Sequence, residues 1–289
     1  MASASGLVTD TGDRPPACAV FPRAMESRRF RSAAAHYAVG RPVYPPTFIT
    51  DVTQACGLKR THRLLDLGTG PGLLALAFAP HVGSVLAVDP EPEMLRLATE
   101  AVRAAGAAVE VRQGSSETLD PAWGRFRAVT MGRSFHWMDR VETLRRLDLL
   151  IEPGGAVVLF NDELEDTPEN TALKAWSAVV ERYSADDAVR TERKGPEWQR
   201  HDLVLASSPF SRVEHLVQVH RSTITVERLI DRALSMSATS ADRLGARAET
   251  MVADIRSALA PFAVQGAEIP ETMEWTAIIA RRPGANPSP

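Results

Sequence analysis

Between residues 63 and 160, short runs of almost continuous apolar residues alternate with longer stretches in which apolar residues recur every three or four positions. The runs at 63–67, 84–88, 109–112, 127–131 and 156–160 predict strands buried on both faces, as in a parallel sheet. The periodic stretches at 73–79 and 92–105 predict the helices that cross between them, and the tetrapeptide EPGG at 152–155 predicts a turn. A strand–helix rhythm of this kind predicts an α/β fold with a doubly wound sheet.

Upstream, residues 24–37 mix Arg with apolar residues at helical spacing and run into RPVYPPTF at 41–48, whose three prolines stop any helix. A helix over 47–56 is predicted to end at Gly57. After Asn161 the pattern changes: an acidic stretch at 162–169 precedes helical patterns at 172–183 and 189–205. Strand rhythm returns at 213–225, a helical section covers 226–260, and a last strand is predicted at 274–280. The expected organisation is a disordered tail at 1–24, a core with amino-terminal lid helices at 25–161, and a helical lid insertion at 162–205 covering the open edge of the sheet. The rest of core and lid follows at 206–282, then a flexible tail at 283–289.

Composition narrows the function classes. Of 289 residues 44% are hydrophobic and 24% charged, as in ordinary soluble globular proteins. A formal net charge of −3 lacks the broad positive field that binds phosphate backbones, so no nucleic-acid partner is expected. Arg supplies 30 of the 33 basic residues, a skew that fits a GC-rich bacterial gene. Cys18 and Cys56 have neither metal-ligand spacing nor the density of a disulfide framework, and a reducing cytoplasm fits them. No run of 18 apolar residues exists, so no membrane span is expected, and residues 1–22 lack the apolar core of a signal peptide.

The most informative stretch is the turn DLGTGPG at 66–72. Glycines between a parallel strand and a helix let a ligand approach the backbone beside a helix amino terminus. The dinucleotide pattern G-x-G-x-x-G fails because Leu73 stands where its third glycine would be, and a phosphate loop fails for want of a lysine. An acidic residue, Asp89, closes the next strand, and a carboxylate suits two vicinal hydroxyls because each can donate to one oxygen.

With Asp89, the turn resembles the first two motifs of class I S-adenosylmethionine-dependent methyltransferases. The resemblance implies a Rossmann-like sheet of seven strands and S-adenosylmethionine as cofactor, with S-adenosylhomocysteine as product and no metal. It puts Asp66, Gly68, Thr69, Gly70 and Gly72 beside the methionine portion and Asp89 on the ribose, with Pro90 and Met94 along the adenine. GSSETL at 114–119 matches the family's third motif and brings Ser115, Ser116 and Glu117 to the adenine edge; Ser115 stands where the family has Asp, so the Ser116 amide is the better donor. Phe30, Tyr37, Arg41, Pro42, Tyr44 and Pro45 complete an amino-terminal pattern typical of the branch that includes bacterial trans-aconitate methyltransferase. That analogy closes Tyr37 and Arg41 over the cofactor, with Arg41 available to its carboxylate.

The segment at 128–140 resembles the fourth-strand end of the same branch and delivers side chains toward a substrate. His136 is the candidate general base, beside the alternative of a structural or cofactor-contacting His–Trp pair. Arg133 is a candidate for an anionic substrate group, and Phe135, Trp137 and Trp176, with Trp198, are candidates for the pocket wall. The expected activity is methyl transfer to a small molecule in bacterial specialised metabolism, with oxygen favoured as acceptor, by a monomer or homodimer. The alternatives are a protein that binds the cofactor without transferring the methyl group, one repurposed for another reaction, and an oxidoreductase.

Overall fold

Strands that are apolar on both faces need cover on both, and here they find it in one sheet between two helical layers. The computed structural model describes residues 33–263 and 268–284. Its elements are α1 (Ala33–Gly40), α2 (Pro46–Ala55), β1 (Arg63–Leu67), α3 (Leu73–Phe78), β2 (Ser84–Asp89), α4 (Pro92–Ala105) and β3 (Val109–Gln113). There follow β4 (Phe126–Gly132), α5 (Arg140–Leu150), β5 (Ile151–Leu164), α6 (Thr171–Ser184), α7 (Ala188–Arg193) and α8 (His201–Ala206). The chain closes with β6 (Arg212–Ile224), α9 (Val226–Leu234), α10 (Ala241–Leu244), α11 (Arg247–Leu259) and β7 (Ile269–Arg281). The tail expected at 1–24, Cys18, Phe30 and residues 285–289 lie outside the described residues. No described helix is long and apolar enough to cross a membrane.

The seven strands form one sheet in the order β3-β2-β1-β4-β5-β7-β6. Strands β1 to β5 are parallel, and β7 runs antiparallel to both β5 and β6. Strand order reverses between β1 and β4, which opens a crevice at the carboxyl ends of the strands. One face packs Phe48, Val52, Leu74 and Phe78 from α2 and α3, the other Leu144, Leu147, Val204 and Leu205 from α5 and α8. The proline segment is clamped by aromatics: Tyr44 lies 5.5 Å from Phe160 and 5.1 Å from Trp275, between ring centroids.

A third apolar cluster, with Leu173 and Trp176 of α6, Leu229 of α9 and Met251 and Ile255 of α11, builds a cap. A buried ion pair, Arg232 Nη1 to Glu271 Oε1 at 2.5 Å, joins α9 to β7. Arg232 Nε also donates to Gly40 O, at the end of α1. That approach requires glycine, since a Cβ on Gly40 would lie 2.3 Å from Arg232 N. His36 Nδ1 meets Asp231 Oδ1 at 2.8 Å, so the amino-terminal helix lies against the cap.

Three sequence expectations are corrected. The helix expected over 189–205 is two helices, α7 and α8, because Gly195 and Pro196 interrupt it. The segment 162–205 does not cover a sheet edge: it extends β5, sends α6 into the cap and lays α8 on the sheet face. The edge strand β6 keeps Val217 and Val219 exposed. The EPGG turn is a bulge inside β5, where Gly154 has φ +75° and the register with β4 jumps from Ile151↔Phe126 to Ala156↔Ala128.

Candidate functional site

The chain must reverse between β1 and α3 in five residues, and it does so on three left-handed glycines, Gly68 at φ +72°, Gly70 at +56° and Gly72 at +89°. A Cβ on Gly68 would come 2.5 Å from Ser134 Cβ, so the turn is pressed against the segment after β4. Gly68 and Thr69 donate their amides to Val88 O at 2.8 and 3.0 Å. Gly70 donates to Asp89 Oδ2 at 2.8 Å, and Glu91 N donates to Asp89 Oδ1 at 2.9 Å. Each oxygen of Asp89 thus takes one backbone donor and retains a lone pair. Asp66 accepts from Thr69 Oγ1 at 2.5 Å and Thr130 Oγ1 at 2.8 Å. Burial pushes both carboxyls up to about 6, against the pull of those hydrogen bonds.

The other residues expected around the loop lie in its vicinity or serve local structure. Tyr37 Cε1 comes within 3.9 Å of where a Cβ on Gly70 would sit, and the Arg41 guanidinium stands 4.8 Å from the Tyr37 ring centroid. Arg41 Nη2 donates to Ser235 O at 3.3 Å, while its Nε is buried without a partner. Met94 is buried on α4, two residues past Pro92 and next to the Pro90 turn. The Ser115 hydroxyl is spent on capping the short turn Ser116–Thr118, accepting from Glu117 N at 3.2 Å. Ser116 is buried, and the Glu117 carbonyl accepts from Arg146.

Next to the loop opens a cavity of about 710 Å³. Tyr37 and Ser134 line it and also touch the glycine turn, so the two spaces adjoin. Its wall brings together Arg133, Phe135, His136, Trp137 and Trp176, all five expected from the sequence, and Trp198. Three of them differ from expectation in detail. Arg133, with φ +55°, pairs through Nε with Asp162, while its Nη2 is buried without a partner. Phe135 is buried in the core, and Trp176 donates its indole N–H to Leu229 O at 2.9 Å, which makes it a cap residue first.

His136 is half-buried, and among the described residues its ring nitrogens make no hydrogen bond. Burial, followed by Arg193, His201, Arg41 and Arg140, holds it well below 6.5, so it is neutral at pH 7. Sequence reasoning missed Thr130, Ser134, Arg140, Arg193 and His201. The first two follow the strand pattern of β4 and are legible in hindsight; the other three carry no local signal. The acidic stretch at 162–169 is dispersed, with Asp162 on Arg133 and Asp166 on Lys174. Among the described residues no group of three or more His, Cys, Asp or Glu is placed to hold a metal.

A family model described as a methyltransferase domain matches residues 64–155. An uncharacterized methyltransferase of Mycobacterium tuberculosis is 33% identical over 211 residues, which cover 73% of this chain and 77% of that protein. The uncharacterized methyltransferase YcgJ of Bacillus subtilis is 29% identical over 143 residues, 49% of this chain and 55% of that one. The YcgJ crystal structure superposes with a TM-score of 0.50 at 18% identity, covering 82% of this chain and 99% of that chain. A SAM-dependent methyltransferase from Geobacter sulfurreducens, solved with S-adenosyl-L-homocysteine, gives 0.51 at 15% identity, covering 88% and 98%. At these identities the two structures establish a shared fold.

Proposed function

The chain belongs to the class I methyltransferases, and from that premise we propose that it binds S-adenosylmethionine against the glycine loop and methylates a small molecule held in the adjoining cavity, on oxygen before carbon or nitrogen, in bacterial specialised metabolism. One observation carries the reading: the Gly70 amide, 2.8 Å from Asp89, locks an acidic strand end to a glycine turn at the point where strand order reverses. The donor set fits the cofactor. Asp89 keeps one lone pair on each oxygen for two vicinal hydroxyls, and the buried, unpartnered Arg41 Nε suits a carboxylate. Pro90 and Met94 supply an apolar wall, and the Ser116 amide is the donor at the adenine edge.

S-adenosylmethionine, when bound, supplies a methyl group already activated by its sulfonium. The chain has only to align an acceptor and exclude water. Trp137, Trp176 and Trp198 shape the apolar wall of the cavity. His136, neutral and lining the cavity, takes the proton of the acceptor hydroxyl.

Calorimetric titration with S-adenosylmethionine and S-adenosylhomocysteine tests the reading. Micromolar binding of both is expected, and binding of neither sinks it. His136→Ala is expected to keep S-adenosylhomocysteine affinity within about twofold while lowering kcat by about 100-fold, the usual weight of a general base. A large loss of cofactor affinity would instead assign the ring to the cofactor.

A further inference from the structure

The charged side chains of the cavity wall are mostly matched. Arg133 holds Asp162, Arg200 holds Asp202 at 2.6 Å, Arg190 holds Glu181 at 3.2 Å, and Asp187 is taken by Arg243 at 3.2 Å. Glu163 and Glu274 stand opposite each other on β5 and β7 and accept from Asn161 Nδ2 at 3.0 Å and Thr276 Oγ1 at 2.9 Å. Two arginines are the exceptions: Arg41, which lies beside the glycine turn and is assigned above to the cofactor, and Arg193, an exposed residue whose guanidinium meets no carboxylate and makes no hydrogen bond among the described residues and stands 5.9 Å from the Trp198 ring.

From Arg193 a continuous set of flat groups leads to His136. Arg140 lies 4.0 Å over the same Trp198 ring, and its Nη1 is 3.3 Å from His201 Nδ1. The His201 ring lies 14° from parallel with His136, 6.4 Å between centroids, and Trp137 is 5.0 Å from His136 on another side. The charged neighbours that act most strongly on His136 are basic, Arg193, Arg41 and Arg140. His201 is pushed down to about 4 by burial, Arg140 and Arg193, with Asp202 opposing. An electropositive, aromatic-lined end of a cavity favours an anion carried on a flat body.

Resting on the methyltransferase reading, we propose that the methyl acceptor is an aromatic carboxylate, its carboxylate on the fork of Arg193 and its ring against Trp198, His201 and Trp137. The guanidinium fork matches a carboxylate in two parallel hydrogen bonds, and the cavity has the size of a small-ligand pocket. Arg193 therefore takes the part that the sequence suggested for Arg133.

The test is calorimetric titration, with S-adenosylhomocysteine present, of 4-hydroxybenzoate, 4-hydroxybenzamide and cyclohexanecarboxylate into the unsubstituted protein, Arg193→Gln and Arg193→Lys. The aromatic acid is expected to bind about tenfold or more tighter than either comparison compound, the weight of a charge-assisted hydrogen bond. Arg193→Gln is expected to abolish the preference for acid over amide, Arg193→Lys to retain part of it, and S-adenosylhomocysteine affinity to be equal in all three proteins. Equal binding of acid and amide, no binding of the acid, or a preference that survives Arg193→Gln overturns the proposal while leaving the methyltransferase reading in place. If S-adenosylhomocysteine itself fails to bind the unsubstituted protein, that reading falls and this one with it.

Discussion

Asp89 shows how much one side chain can join. It ties the glycine turn to the start of α4 through two backbone amides and still offers two lone pairs. Asp89→Ala is expected to weaken S-adenosylhomocysteine binding by about 1–3 kcal/mol, the worth of one to a few hydrogen bonds; unchanged affinity in calorimetry would remove it from the ribose. His136 makes a second prediction at this scale. Its surroundings hold it well below 6.5, so kcat/KM is expected to stay level as pH falls from 8 through 6.5 and to drop only in more acidic solution. A midpoint at or above 6.5 in the pH–rate profile would put the proton on another group. Arg133 illustrates the limit of reading residues singly: its position after β4 was legible, but its partner Asp162 comes from β5, and only the pairing of those strands brings them together.

At the scale of elements, the glycine turn is selected by conformation and by space together. Gly68 and Gly106 both have left-handed backbones, at φ +72° and +58°, but a Cβ on Gly106 meets nothing within 4 Å whereas one on Gly68 meets Ser134. Gly106→Ala is expected to cost about 1 kcal/mol from the backbone alone. Gly68→Ala is expected to cost about 1–3 kcal/mol more from overpacking, with a matching fall in cofactor affinity, both read by urea denaturation and calorimetry. In the cap, Glu271 and Arg232 are each about 5% exposed, at 6% and 5%. Glu271→Ala strands a buried guanidinium and is expected to lower unfolding free energy by about 3–5 kcal/mol; a loss below about 1 kcal/mol would mean that Arg232 is satisfied by Gly40 alone.

For the molecule as a whole, Asp66 and Asp89 set a pH dependence of uncommon sign. Both carboxyls sit near 6 in the folded protein and near 4 in the unfolded chain, so between those values the folded state holds protons that the unfolded state has lost. Their contribution to stability therefore falls as pH rises from about 4 to 6 and is level above that, by about 3 kcal/mol per group at most. Exposed carboxylates with lowered values, such as Glu142 at about 2, titrate in more acidic solution, whereas His136 and His201, both held below 6.5, add stability as pH rises through the same window and oppose the two carboxyls. In urea denaturation between pH 4.5 and 7.5, the difference in unfolding free energy between the unsubstituted protein and the double variant Asp66→Asn, Asp89→Asn is expected to fall as pH rises and to level off above about 6. Cofactor affinity runs the other way, weakening below pH 6 as Asp89 takes up a proton.

The α/β class, the five parallel strands, the glycine turn and Asp89 were settled by the sequence itself. Burial on both faces writes itself as continuous apolar runs, and a turn of left-handed residues writes itself as glycine. The contacts around the glycine turn were legible for the same reason, since strand ends and their turns lie close together in the chain. Tertiary structure decided how the cavity wall is completed around the residues the sequence had named. Arg193, Trp198 and His201, on α7, the turn after it and α8, meet Arg140 at the start of α5 and His136 after β4, and hydrophobic periodicity reports that a face is buried without reporting against what. It also decided which arginines of the cavity are left without a carboxylate, because ion pairs between distant elements, Arg133 with Asp162 and Asp187 with Arg243, are fixed by the geometry of packing and leave no spacing in the chain to read.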